Sequence, residues 1–88
     1  MTPQAKVSEA LARLARMSPR WRAAIPLVFV RVTRSVVTVR TVGNHISIGP
    51  QFVAEMTSDD TANILAHEML HIREIRDIVY DTTQGQRA

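Results

Sequence analysis

Residues 57–79, TSDDTANILAHEMLHIREIRDIV, hold the reading on which the fold turns. Thr57, Ser58, Asp59 and Asp60 gather N-cap residue types, with the acids falling in what would be the first helical turn. Carboxylates there complement the helix dipole, so a helix starts at this point. Beyond it Ile64, Leu65, Ile72, Ile75 and Val79 fall within an arc of ~100° at helical spacing, which makes one face core. The pattern predicts a helix over 58–80.

Upstream, residues 27–50 turn β-branched. Val28, Val30 and Val32 alternate with Phe29, Arg31 and Thr33, and Val37, Val39 and Thr41 alternate with Thr38 and Arg40. Period-two alternation is the mark of strands with one buried face. Arg34-Ser35 suggests a hairpin turn, Gly43-Asn44 a clearer one, and His45–Ile48 a third strand closed by Gly49-Pro50. Three antiparallel strands in a meander are expected. Within 1–20, Val7, Ala10, Leu11 and Leu14 share a helical face, and Ser18-Pro19 ends that helix because a residue before proline avoids the α region. Trp21 follows, placed to cap one end of the core. The tail at 81–88 is polar and expected to fray. The 88 residues thus form one α+β domain: an N-terminal helix, a three-stranded antiparallel sheet and a final long helix.

Composition narrows the chemistry. There is no cysteine, so disulfides, thiolate metal sites and cysteine nucleophiles are excluded, and any metal must be held by His, Asp or Glu. No apolar run approaches the ~20 residues of a membrane span. The absence of a secretory apolar segment makes the cytoplasm the expected location. The net charge of +3 is unevenly spread. Residues 1–40 carry eight Lys/Arg against Glu9 alone, or +7, while residues 41–88 carry three Arg against seven acids, or −4. Basic residues over 6–40 could meet nucleic acid or an acidic protein partner; as solvated faces they need no partner at all.

His67-Glu68-Met69-Leu70-His71 carries the chemistry. His67 and His71 stand one helical turn apart, so both imidazoles leave the same face and can bind one ion. Glu68 is offset from them around the helix, near the ion without being a ligand. A carboxylate there can take a proton from water activated by the metal.

The motif is the signature of zincin metallopeptidases. Residues 41–53, TVGNHISIGPQFV, and Ile64-Leu65-Ala66 extend the likeness. Together they resemble the minimal metallopeptidase domain associated with von Willebrand factor A-like proteins, and are similar to small gluzincin-type peptidases. The resemblance covers about residues 27–75. It implies that His67 and His71 ligate Zn²⁺, that zinc activates its water and polarises the scissile carbonyl, and that Glu68 is general base and then general acid. It also implies an edge strand that pairs with an extended peptide substrate, a role His45–Ile48 fits. A third ligand is required. Asp77 ranks first, then Asp81, with His45 or Glu55 approaching from the strand side. Glu74 lies too far along a continuous helix to ligate, although it could touch His71. Without a third ligand, the chain reads as a non-catalytic zinc domain serving as a basic binding module. Tyr80 is expected to pack at the helix end rather than to stabilise an oxyanion.

Overall fold

The computed structural model describes residues 1–80. The tail at 81–88, and Asp81 with it, lies outside them. The elements are α1 (Pro3–Met17), α2 (Pro19–Ala24), a 3-10 turn (Ile25–Leu27), β1 (Phe29–Val32), β2 (Val39–Val42), β3 (His45–Ile48), α3 (Pro50–Ala54), α4 (Ser58–Leu70) and α5 (Arg73–Val79). The α+β class holds.

Small polar side chains decide where the helices begin. Thr2, Ser18 and Thr57 each accept a hydrogen bond from a backbone N–H three residues on, at 3.1, 3.2 and 3.0 Å. Each satisfies a donor that the first turn leaves open. Ser18-Pro19 therefore both stops α1 and starts α2, placing Trp21 in the core. At the other end of a helix, Lys6 Nζ donates to the Val53 and Met56 carbonyls at 3.0 and 2.7 Å. Its charge lies where the chain leaves α3, the negative end of the peptide dipoles. Arg13 and Asp59 pair between α1 and α4.

The sheet differs from the expected meander. Its order is β1-β3-β2, with β1 parallel to β3 and β2 antiparallel to it. Arg34-Ser35 is therefore not a hairpin turn. The segment from 33 to 38 carries the chain over the end of β3, and Thr33 and Thr38 bond to Ile48 and Gly49 on opposite sides of that strand. Gly43-Asn44 does form the predicted hairpin. Gly43 at φ 60°, with no other residue at positive φ among the described residues, gives the turn that needs glycine at its first central position. Because β3 is central, His45–Ile48 is not the edge strand expected to receive a peptide. β2 is an edge instead.

The inward-facing strand residues are Val30, Val32, Val39, Thr41, Ile46 and Ile48. The alternation in the sequence is reproduced there, although Val37 stands exposed in the crossing segment. The long C-terminal helix is replaced by two. The backbone of Ile72 is extended (φ −84°, ψ 116°), which breaks the run after His71. The redirected α5 packs on α2 and buries Ile75 completely. Arg20 Nη1 then donates to the Val79 carbonyl at 3.2 Å, satisfying one group at the end of α5. Burial of an isoleucine side chain, worth about 2 kcal/mol, outweighs the few tenths per residue of helix propensity lost at the break.

The crossing segment depends on Gly49. A Cβ there would collide with the carbonyl oxygens of Val36 and Val37. Both are backbone atoms, so relief requires moving the chain. Gly49→Ala is expected to cost about 1–3 kcal/mol, as overpacking does. In a domain of this size that lowers Tm by at least about 4 °C. Thermal unfolding followed by circular dichroism checks this, and an unchanged Tm would contradict the close crossing.

Candidate metal centre

α4 sets the geometry of the motif by the face it buries. Thr61, Leu65 and Met69 are fully buried at four-residue spacing, with Ala62 beside them. The Thr61 hydroxyl is satisfied by donating to the Thr57 carbonyl at 2.9 Å. This rotation leaves His67 and His71 exposed, and Glu68 half-buried at the boundary with the sheet. Met69, adjacent to Glu68 in sequence, is core.

The two imidazoles converge. His67 Nε2 and His71 Nε2 lie 3.2 Å apart, with their rings at right angles. Two nitrogens bound tetrahedrally at 2.0–2.1 Å to one ion stand about 3.3–3.4 Å apart. The observed separation therefore fits a shared divalent metal. One ligand atom each from His67, Glu68 and His71 lies within 4.8 Å of the others. Among the described residues this is the only such group of three.

Sequence reasoning missed Thr41. Its hydroxyl donates to Glu68 Oε1 at 2.7 Å, joining β2 to α4. A short, partly buried hydrogen bond to a carboxylate is among the stronger neutral-to-charged contacts. It fixes one carboxylate oxygen and leaves Oε2 to act elsewhere. The signal was a threonine among inward strand positions otherwise occupied by valine and isoleucine.

A cleft runs between β2 and the junction of α4 and α5, with Arg40, Thr41, Glu68, His71, Ile72 and Glu74 among its lining residues. The break at Ile72 brings Glu74 to its rim. The other expected ligands are not brought in. Asp77 is exposed on α5 and outside the three-residue group. His45 faces the opposite side of the sheet from Thr41. Glu55 follows α3, where Gln51 Nε2 donates to it at 3.0 Å. Tyr80 is exposed and does not line the cleft.

Two imidazoles and a carboxylate that could hold a metal ion thus gather on one helix beside a cleft, in a domain of α+β architecture. A family model described as "Putative metallopeptidase domain" matches residues 2–75, and the chain belongs to that family. No curated protein and no solved structure matches this chain. A metallopeptidase domain implies a metal, and the group formed by His67, Glu68 and His71 could bind one.

Metal binding is expected to stabilise the fold, because the unfolded chain has no assembled site. At about a hundredfold excess over Kd, a divalent ion adds about 2.7 kcal/mol, equivalent to a rise of about 10 °C or more in Tm. A chelator should reverse the rise, and His71→Ala should abolish it. Equal melting with and without metal would count against the site.

Proposed function

We propose that the domain is a zinc-dependent peptidase acting on an extended peptide laid along β2. The observation that carries this reading is the convergence of His67 and His71 beside a carboxylate held in place by Thr41. Neutral imidazole is a good zinc ligand. Zinc bound there would supply Lewis acidity, acidifying water and polarising the scissile carbonyl.

The chain's own residues supply the rest. Glu68 Oε2 accepts the proton of the attacking water and returns it to the departing amine. Thr41 holds the other oxygen, so the carboxylate stays aligned while its charge changes. Antiparallel pairing alternates between residues that exchange both hydrogen bonds and residues that exchange none. Gly49 N–H donates to the Thr38 carbonyl at 2.8 Å, and the same phase makes Arg40–Ser47 a bonded pair. Val39 and Thr41 therefore turn their peptide groups outward, where a substrate strand can pair with them. Thr41 would touch the substrate through its backbone and the base through its side chain.

Catalytic zinc sites commonly have three protein ligands. Glu74 stands outside the three-residue group as Asp77 does, but it lines the same cleft, and it is proposed in place of Asp77 as the third donor. Glu74→Gln should then weaken zinc binding by about tenfold or more, while Asp77→Asn leaves it unchanged, as read by competition with a chromogenic chelator. The reverse pattern would restore Asp77.

Glu68→Gln should retain zinc and lose about 10²–10⁴-fold in peptide hydrolysis. Thr41→Val should lower kcat on the order of tenfold with KM and zinc content unchanged, and Thr41→Ser should recover most of it. Full activity in Glu68→Gln would remove Glu68 from the mechanism. A Thr41→Val variant that loses only stability would assign the residue a structural part.

A further inference from the structure

The face of the sheet turned away from the helices carries two ordered rows. Phe29, His45 and Val42 lie in register across β1, β3 and β2, and Arg31, Ser47 and Arg40 form the next row. Phe29 is 58% exposed and Val42 65%, although both occupy regular strands. The Phe29 and His45 rings stack with centroids 4.9 Å apart and planes within 19°. Beside them Arg31 Nε donates to Ser47 Oγ at 3.4 Å. The rows are two residues, or about 6.6 Å, apart, and the two arginines stand about 10 Å from each other across the sheet.

Charge on this face has one sign. Residues 10–54 contain no Asp or Glu, so no carboxylate of the sheet or its connections offsets Arg31 and Arg40, and Arg34 adds a third cation in the crossing segment. An acidic protein would satisfy the arginines and leave the ring row without use. A purely apolar partner would strand the guanidinium groups. Unpaired bases joined by phosphates satisfy both rows, since any base can stack on an exposed ring and each phosphate can meet an arginine. Duplexes stack their bases internally and offer the ring row nothing.

We propose that this open sheet face binds a single strand of nucleic acid, with bases on the Phe29–His45 row and phosphates on Arg31 and Arg40. The surface adjoins the metal cleft at Arg40, which stands on the edge strand and lines both, whereas Phe29, His45 and Arg31 lie on the side of the sheet opposite the Thr41–Glu68 contact.

Fluorescence anisotropy of labelled twelve-residue oligo(U) and oligo(dT) with the whole 88-residue chain tests this. Saturable binding at low salt is expected, weaker for a duplex of equal length. Phe29→Ala should weaken it at least about fivefold, and Phe29→Tyr should restore it. Replacing Arg31 and Arg40 by Gln together should reduce the slope of log K against log salt by about 1.4, two phosphates at ~0.7 each. Replacing Arg16 and Arg20, on α1 and α2, should leave that slope unchanged. Circular dichroism confirms that each variant is folded. No saturable binding, affinity indifferent to Phe29, or equal affinity for duplex would each overturn the proposal. So would an acidic peptide that binds in an Arg40-dependent, Phe29-independent way, which would make this a protein-docking face.

Discussion

The rotation of α4 about its own axis governs the molecule. Thr61, Leu65 and Met69 are fully buried, and turning any of them toward water would cost both apolar burial and the packing around it. With that face fixed, His67 and His71 have only solvent-side positions, and Glu68 has only the seam with β2. Core packing thus sets which way the two imidazoles face, while their separation comes from the one-turn spacing along the helix. Thr41 locks the seam from the other side through its bond to Glu68 Oε1.

Much of this was legible in the sequence because it is local. The cap at Thr57, the inward valines of β1 and β2, the Gly43 turn and the one-turn spacing of the histidines each depend on residues within a few positions of one another. What was not legible is long-range. Nothing near Arg34-Ser35 reveals that β3 will insert between β1 and β2, since that pairing is decided by residues more than ten positions away. The break at Ile72 is hidden for a similar reason. Helical periodicity continues smoothly through Ile75 and Val79, and only the presence of α2 makes a redirected α5 the better way to bury Ile75. Thr41 was visible as an oddity among valines, but its partner on α4 lies 27 residues away.

These two departures bear on the site itself. Inserting β3 at the centre puts β2 at an edge, and β2 carries Thr41, the residue that holds Glu68. Breaking the helix after His71 opens the cleft and moves Glu74 to its rim, while Asp77 stays out in solvent. The sheet is also used on both sides. Its inner face supports the core and the carboxylate, and its outer face keeps rings and arginines exposed that a merely protective surface would not need.

The central claim is that the ring nitrogens of His67 and His71 share one divalent ion. Long-range nitrogen–proton spectra of the imidazole rings during a zinc titration address it directly. Both rings should change together, complete the change at one equivalent, and carry the signature of coordination at Nε2, while His45 stays as it was. Rings that respond singly, or only at a large excess of zinc, would contradict the account.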